Sequence, residues 1–278
     1  MMFSSAAMFA GGVLCANIAM SLKLPRLIKA DLPIDNLPEH IRGLKILHVS
    51  DIHNKSKYYV NVNIWKTVFK EDFDIAVITG DMTKDFFDQV LPLREPLSEL
   101  ASRVPTFFVD GNHEKAHFRE MKKFMESLGV VVLDDRKITL GINGGSLEIL
   151  GIRDYYYQKR QGFKPFKHLM EDEVKCGFRI LLSHQPQIIE GLSYFKDILV
   201  LSGHTHGGQI RLPFVDTIIA PGQGFFPKFG DGFYKVKNCY LYISRGIGAS
   251  RIPVRLFNRP EVAVLTLKNS AGGGRSDD

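Results

Sequence analysis

Six short apolar runs recur along the chain, and each ends in glycine or in polar residues. The runs read "LKILHVS", "DIAVITG", "TFFVDG", "RILLSH", "DILVLSG" and "LYISRG". Near-continuous apolar runs of this length are typical of strands that are buried on both faces. Apolar positions with helical spacing lie between several of them, at residues 62–69, 86–102, 115–127 and 187–195. The alternation of strand and helix predicts an α/β architecture.

Two regions depart from this alternation. The stretch "KITLGINGGSLEILGIRD", which begins at Lys137, has the pattern of a hairpin with a glycine turn, and residues 215–264 are mostly strand-like and loop-like. These regions favour a mixed sheet, or two packed sheets, over one purely parallel sheet.

The distribution of charge and proline divides the chain into four parts. Residues 1–22 are uncharged and about as long as a bilayer-spanning helix, so we predict an uncleaved membrane anchor. A mis-assigned start that hides a longer signal, or a soluble apolar arm, are the alternatives. Residues 23–43 contain three prolines and predict an extended linker. The folded domain is then expected at 44–268, followed by a disordered tail at 269–278.

Composition and charge narrow the range of partners. The net charge of +6 is mild and its basic residues are scattered, which argues against a nucleic-acid partner, and no sequence feature predicts a protein partner. The three cysteines lie far apart without CxxC spacing, so a zinc ribbon and a disulfide framework are excluded. Lys23, Arg26 and Lys29 follow the predicted anchor, and the positive-inside rule places the domain that follows them on the cytoplasmic face.

Five of the six apolar runs end in residues of the kinds that bind metals. These residues are Asp51 and His53, Asp81, Asn112 and His113, His184, and His204 and His206. Because ligands collect at the carboxyl ends of strands in open α/β sheets, we expect these side chains to converge on one site. Side chains two residues apart in an extended segment face the same way. Asp51 with His53, and His204 with His206, can therefore point toward the same site.

This donor set exceeds what one tetrahedral ion takes. Two carboxylates, one carboxamide and four or five imidazoles, with no thiolate, suit two ions such as Mn, Fe, Zn or Co, held roughly 3.5 to 4 Å apart. Each motif alone has a structural explanation, since a Gly-Asp pair is usually a turn, and His48 inside the first strand is better explained as a buried residue. The five motifs together favour a metal centre. The glycines of "GHTHGG", such as Gly203 and Gly207, would let the backbone approach the ions without a Cβ in the way.

The order D-x-H, G-D, G-N-H-E, H and G-H-x-H resembles the calcineurin-like metallophosphoesterase superfamily, from about residue 44 to residue 267. The resemblance implies a four-layer α/β/β/α sandwich of two mixed β-sheets flanked by helices. It also implies two ions bridged by Asp81, one held by Asp51, His53 and His206 and the other by Asn112, His184 and His204.

Three further stretches are similar to the membrane-associated or exported bacterial branch of that superfamily: "SGHTHGGQ", "SRGIG" and "PVRLFNRPE". This resemblance implies an exported domain, whereas the charges after residue 22 indicate a cytoplasmic one. The stretch "GDMTKDF" departs from the G-D-x-V-D-R-G pattern of the protein serine/threonine phosphatases, with Lys84 and Asp85 in place of Asp and Arg. A phosphoprotein substrate is therefore not expected.

The implied activity is phosphoester hydrolysis of the phosphodiesterase or pyrophosphatase type. In this reaction a hydroxide held by the two ions would attack phosphorus in line, and Asn112 would help to stabilise the phosphoryl oxygens. His113, which the resemblance leaves out of the ligand set, is the candidate that protonates the leaving oxygen. Glu114 either orients His113 or acts as a supporting carboxylate behind the ligands or at a helix start.

The expected substrate is a small or lipid-linked phosphoester. A UDP-diacylated sugar is an example that the resemblance implies. Residues that either contact this substrate or pack beneath loops are Arg153, Tyr155 and Tyr156 in "RDYYYQKRQGFK", and Phe225, Phe226 and Phe229 in "GQGFFPKFG". A nuclease and a non-catalytic metal-binding scaffold are the alternative functions.

Overall fold

The computed structural model describes residues 25–54, 62–154, 168–170, 177–192, 194–208, 210–212, 215–220, 223–248 and 255–270. The predicted anchor at 1–22, the side chains of Tyr155 and Tyr156, and residues 271–278 of the predicted tail lie outside these ranges. Among the residues that are described, no helix is long and apolar enough to cross a membrane.

The strands in chain order are β1 (Arg26–Ile34), β2 (Lys45–Val49), β3 (Ile75–Thr79), β4 (Thr106–Val109), β5 (Val131–Val132), β6 (Arg136–Ile142), β7 (Gly145–Ile152), β8 (Arg179–Ser183), β9 (Ile198–Ser202), β10 (Ile210–Leu212), β11 (Val215–Ala220), β12 (Gly224–Phe225), β13 (Gly232–Val236), β14 (Cys239–Ile243) and β15 (Glu261–Asn269). The α-helices are α1 (Val62–Val68), α2 (Arg94–Arg103) and α3 (Phe118–Ser127). Short 3-10 helices occupy Glu39–Ile41, Phe87–Leu93, Lys115–His117 and Pro186–Leu192.

Most strands belong to two mixed six-stranded sheets. The first has the order β1-β15-β2-β3-β4-β5, with β2 to β5 parallel and β15 antiparallel to β2. The second has the order β13-β14-β9-β8-β7-β6, with a parallel centre and an antiparallel hairpin at each edge. The predicted hairpin after Lys137 is the β6–β7 edge.

The sheets pack face to face, and helices cover their outer faces. Apolar side chains from both sheets fill the space between them, including Ile46 and Phe107 from the first sheet and Ile149 and Leu199 from the second. Helices α1 to α3 cover the outer face of the first sheet, and the 3-10 helix Pro186–Leu192 packs on the outer face of the second. This is the predicted four-layer α/β/β/α sandwich. The central strands are buried on both faces, which explains their continuous apolar runs.

Helix α3 shows how the sequence sets the outer layer. Phe118, Met121 and Met125 recur at helical spacing and are buried against the first sheet. The helix ends at Ser127, and Gly129 follows with a φ of 84°, a left-handed conformation that glycine adopts without a Cβ penalty. The chain then enters β5 and returns to the same sheet.

The predicted linker at 23–43 is wrong for residues 26–34, because these residues form β1. This strand pairs in parallel with β15 along its whole length, and Leu32 and Ile34 are buried in the core between the sheets. Pro33 is compatible with this position, since an edge strand tolerates a residue that lacks an N–H donor. At the other end of the domain, β15 extends to Asn269, one residue into the predicted tail.

Candidate active site

The five motif-bearing strand ends meet at one end of the two face-to-face sheets. His184, which follows β8, donates from Nδ1 to the carbonyl oxygen of Thr79 at the end of β3, at 2.7 Å. The N–H of Gly203, after β9, donates to the carbonyl oxygen of His184 at 3.1 Å. The first bond fastens a ligand-bearing end of the second sheet to the first sheet, and the second bond joins two ligand-bearing ends within the second sheet.

One group of candidate ligands surrounds Asp51. Its Oδ1 lies 3.7 Å from Nε2 of His53 and 3.5 Å from Nε2 of His206, and the two ring nitrogens are 3.0 Å apart. All three side chains are buried. Their polar atoms converge closely enough to hold one metal ion.

A second group surrounds Asp81. Its Oδ2 lies 3.1 Å from Nε2 of His184, and that nitrogen is 3.2 Å from Nδ1 of His204. The same Oδ2 lies 3.5 Å from Nε2 of His53, which belongs to the first group. One carboxylate oxygen is therefore shared between two groups of histidines.

The backbone at these positions is strained. A left-handed φ is unfavourable for residues other than glycine and costs about 1 to 3 kcal/mol at each position. Five candidate ligands adopt it: Asp51 (49°), His53 (43°), Asp81 (53°), His204 (71°) and His206 (53°). Such strain persists only where surrounding contacts enforce it, and it clusters at functional sites.

Gly203 packs directly against Asp51. A Cβ at this position would lie 2.1 Å from Asp51 Oδ2 and 2.0 Å from Ser50 Oγ, so any side chain would displace the carboxylate. Gly207 differs from the sequence expectation. A Cβ there would meet Arg245 and Asn258, at 2.7 and 2.8 Å, and glycine at this position serves loop packing.

Glu114 supports the Asp81 loop. Its buried carboxylate accepts N–H bonds from Asp81 at 2.8 Å, Thr83 at 3.0 Å and Gly111 at 2.9 Å. The carboxylate thus holds two ligand-bearing loops together. This contact set matches the supporting role among the sequence alternatives.

His113 lies at the edge of the site and is only partly buried. Its ring donates from Nδ1 to the carbonyl oxygen of Lys84, and its Nε2 lies 4.0 Å from Oδ2 of Asp81. Its backbone N–H donates to Oδ1 of Asp81 at 2.9 Å. The ring therefore presents Nε2 to the centre. His113, His53 and Asp81 form a third group whose atoms could hold an ion.

Arg153 is engaged with acidic and aromatic neighbours. Its Nε lies 3.5 Å from Oδ2 of Asp110 and 3.6 Å from Oδ1 of Asp134, and its guanidinium carbon lies 3.6 Å from the centre of the Phe118 ring. Burial raises the pKa of Asp110 to about 7, although the positive charge of Arg153 lowers it. These contacts fix Arg153 beside the loop that carries Asn112.

Arg255 and Asn258 support the site but were not among the residues that the sequence motifs predict. Arg255 is buried and places Nη2 3.1 Å from Nδ1 of His206, while donating to the carbonyl oxygen of Arg245 at 2.7 Å. Asn258 donates to the carbonyl oxygen of His206 at 2.5 Å. Both residues lie in the "PVRLFNRPE" stretch, which was the available signal.

The two carboxylates attract positive charge. Burial opposes charge on His184, but Asp81 beside it raises the pKa of His184 well above its ordinary value. Burial disfavours charge on the two carboxylates, but His206 beside Asp51 and His184 beside Asp81 hold both pKa values well below the ordinary range. Burial, and then the charge of His184, lowers the pKa of His204 to about 4. Anionic carboxylates and a neutral imidazole are the protonation states in which these groups bind metals.

The donor chemistry also fits metal ions. The oxygen and nitrogen donors, without sulfur, are those that borderline divalent ions accept. Asn112 adds a buried Oδ1 that has no hydrogen-bond partner, on the residue between Gly111 and His113. A buried acceptor of this kind is costly unless something binds to it.

Comparisons with known proteins agree with this geometry. The calcineurin-like phosphoesterase family profile matches residues 44–208, the range that contains all seven predicted ligands. A metallophosphoesterase of Helicobacter pylori (strain ATCC 700392 / 26695) is 32% identical over 259 residues, which cover 90% of this chain and 66% of the relative. The chain thus spans just under two thirds of that relative's length.

Two further relatives extend the comparison. The Bacillus subtilis metallophosphoesterase YkuE is 31% identical over 246 residues, which cover 84% of this chain and 82% of YkuE. A Danio rerio protein described as a transmembrane protein with metallophosphoesterase domain is 28% identical over 262 residues, which cover 88% of this chain and 58% of that protein.

Proposed function

Because the chain belongs to the calcineurin-like phosphoesterase family, we propose that it hydrolyses phosphodiesters or pyrophosphates with two divalent metal ions bound at the five strand ends. The observation that carries this proposal is the position of Asp81. Its Oδ2 faces His53 at 3.5 Å and His184 at 3.1 Å, so one carboxylate oxygen can serve two ions at once.

The ligand sets that we propose combine the two groups with Asn112, which the family resemblance adds. Asp51, His53 and His206 would hold one ion, and His184, His204 and Asn112 would hold the other, with Asp81 shared between them. When bound, the two ions supply charge neutralisation at phosphorus and lower the pKa of water to near neutrality. Mn, Fe, Zn and Co all suit these donors.

His113 and Asn112 act on the substrate directly. Since His113 donates from Nδ1 to the carbonyl oxygen of Lys84, its Nε2 faces the site, and in the imidazolium form this nitrogen can give a proton to the leaving oxygen. The Asn112 amide also has N–H donors, which can stabilise the phosphoryl oxygens. Glu114 positions the Asp81 and Gly111 loops, and Arg255 positions the ring of His206.

The substrate that we propose is a small or lipid-linked phosphoester, such as a UDP-diacylated sugar. The uncharged stretch at residues 1–22 supports a membrane-anchored enzyme, as does the transmembrane description of the Danio relative. Arg153, Tyr155 and Tyr156 are the proposed substrate contacts. Of these, Arg153 lies beside the Asn112 loop, and both tyrosines fall outside the described residues.

A substrate screen tests this proposal. Purified full-length protein is reconstituted separately with Mn, Fe, Zn or Co and offered phosphomonoesters, phosphodiesters, lipid-linked pyrophosphates and DNA. We expect metal-dependent turnover of diesters or pyrophosphates that the Asp81→Asn variant lacks. Cleavage of DNA alone would favour the nuclease alternative, and equal turnover by the variant would contradict the proposed mechanism.

A further inference from the structure

Phe225 and Phe226 lie on the surface although they are apolar. They are 72% and 75% exposed, and they end the small sheet β10-β11-β12. The sequence "GQGFFPKFG" is compatible with either packed or exposed aromatic residues. Phe229 is buried against Tyr234, whereas Phe225 and Phe226 are not covered by the described residues. Adjacent exposed aromatics of this kind mark binding surfaces.

The loop that carries the two phenylalanines is well fixed. The side chain of Gln223 donates to the carbonyl oxygen of Phe229 at 2.7 Å and accepts from its N–H at 3.1 Å. The N–H of Phe226 donates to the carbonyl oxygen of Ile218 at 2.8 Å. Phe226 also has a φ of 51°, which is unusual for an aromatic residue. The fold therefore fixes this loop with both side chains exposed, at an energetic cost for the backbone of Phe226.

The same loop is attached to the active site. Thr217 on β11 donates from its hydroxyl to the carbonyl oxygen of Gly207 at 3.1 Å. The hydroxyl of Thr205 donates to the carbonyl oxygen of Gly230 at 2.6 Å. Both bonds join the aromatic loop to the segment that carries His204 and His206. Whatever binds Phe225 and Phe226 is thus held at a fixed position beside the metal ligands.

The start of β1 belongs to the same end of the molecule. The N–H of Arg26 donates to the carbonyl oxygen of Pro260 at 3.0 Å, and the N–H of Arg211 on β10 donates to that of Leu256 at 3.1 Å. Both contacts involve the loop at residues 255–260, where Phe257 is 43% exposed. The uncharged stretch 1–22 therefore precedes a strand that starts beside the active-site loops.

We propose that the surface formed by Phe225, Phe226 and Lys228, the aromatic tip, docks onto a phospholipid bilayer that contains anionic lipids. The phenylalanines supply apolar area for the acyl boundary. Lys228 pairs with Glu190 at 2.8 Å, but both side chains are exposed, so this weak surface pair leaves the ammonium group able to contact anionic headgroups. The net charge of +6 complements an anionic surface. Docking would place the active site at the lipid–water boundary. This inference goes beyond the proposed hydrolysis and does not depend on it.

Tryptophan fluorescence of the full chain in vesicles tests the docking. Phe225→Trp and Phe226→Trp are compared with Phe86→Trp, whose position is 69% exposed and lies on the loop after β3. The native Trp65 is the single tryptophan of the chain and is buried, so it gives a constant background. Vesicles contain phosphatidylcholine with phosphatidylglycerol, and a second set carries acyl chains labelled with bromine.

The expected result is a blue shift and strong quenching by brominated lipids at positions 225 and 226, but not at position 86. Equal quenching at all three positions, or none at 225 and 226, would overturn the proposal. A blue shift that grows with protein concentration without vesicles would assign the aromatic tip to a second copy of the chain, and would also overturn it.

A double variant separates this inference from the proposed function. Phe225→Ser with Phe226→Ser should keep the melting temperature and the turnover of soluble bis(p-nitrophenyl) phosphate. Selective loss of that turnover would place the aromatic tip in the active site instead of on the membrane. Lipid quenching at 225 and 226 in a protein that hydrolyses no phosphoester would leave the docking intact and refute the proposed function.

Discussion

At the scale of single residues, the candidate site depends on conformations that its own ligands disfavour. Five of the seven predicted ligands have a left-handed φ, including both carboxylates. Hydrogen bonds from outside the ligand set enforce these conformations. Ser50 Oγ donates to Asp51 Oδ2 at 2.5 Å, and Glu114 accepts the N–H of Asp81. These supporting contacts offset the strain. Substitution of a supporting residue should therefore affect metal binding, as substitution of a ligand would.

Glu114→Gln should weaken metal binding while leaving the fold intact. An amide has one acceptor oxygen and cannot reproduce the three N–H bonds that the carboxylate accepts. We expect a roughly 10- to 100-fold loss of metal affinity, the size found for supporting residues behind metal ligands. Titration calorimetry with Mn measures it. Glu120→Gln, an exposed position on α3, is the control, and equal affinities for the two variants would contradict the role assigned to Glu114.

His113→Ala should slow turnover without removing metal. If its Nε2 delivers the proton to the leaving oxygen, kcat should fall about 10²- to 10⁴-fold at unchanged metal content. Steady-state kinetics with parallel metal analysis separates the roles. The control is His117→Ala, a neighbouring histidine that contacts Thr83 at 3.0 Å. If metal content falls with kcat, His113 is a ligand in the third group and the proton-donor role is wrong.

At the same scale, the sequence predicts ligands better than their supports. Asp51, His204 and the other predicted ligands stand out because their side chains carry the donor atoms and their motifs are distinctive. Glu114 accepts the backbone N–H groups of Asp81 and Gly111. Asp81 is distant in sequence, and the Gly111 N–H is a backbone group that leaves no side-chain pattern in the sequence. Arg255 reaches His206 across 49 residues, a contact that local pattern cannot reveal.

At the scale of elements, the strands that carry ligands were predictable because both of their faces are buried. Strands β2, β3, β4, β8 and β9 read as apolar runs and end in the site. Strand β1 was missed because it is an edge strand with Pro33 inside it and polar residues on its exposed side. Its pairing with β15 is non-local, joining residues more than two hundred positions apart. Such pairing leaves only a weak alternation in the local sequence.

The second sheet contains a buried ion pair whose loss should destabilise the domain. Arg179 on β8 and Glu148 on β7 face each other in register, with Nε and Oε2 at 2.6 Å and both residues buried. Glu148→Ala removes the carboxylate from a buried guanidinium, which should lower the free energy of unfolding by about 3 to 5 kcal/mol. Urea denaturation measures this.

The exposed pair between Lys228 and Glu190 provides the matched control for that experiment. Its side chains are 65% and 53% exposed, so Glu190→Ala should cost less than about 1 kcal/mol. If Glu148→Ala lowers the free energy of unfolding by as little as Glu190→Ala does, burial does not strengthen the contribution of the Arg179–Glu148 pair to stability.

At the scale of the whole molecule, the site joins two sheets that otherwise meet through apolar packing. The first sheet supplies Asp51, His53 and Asp81, and the second supplies His184, His204 and His206. Ions bound between them would cross-link the sandwich at one end. Binding to the folded state alone adds about 2.7 kcal/mol of stability at a free ion concentration of 100 times Kd.

Removal of metal should therefore lower the melting temperature. For a domain of this size, that stabilisation corresponds to about 5 to 10 °C. Calorimetry before and after treatment with a chelator, and after re-addition of Mn, measures the shift. If neither chelation nor re-addition of Mn changes the melting temperature, no ion bridges the two sheets.

The central claim is that Asp81 holds two ions together for phosphoester hydrolysis, and metal stoichiometry tests it most directly. Elemental analysis of Mn-reconstituted full-length protein is measured with turnover of bis(p-nitrophenyl) phosphate, for the parent and Asp81→Asn. The parent should bind two ions per chain and turn over the diester, whereas the variant should lose at least one ion and its activity while keeping its circular dichroism. A variant that keeps two ions and parental turnover would contradict the account.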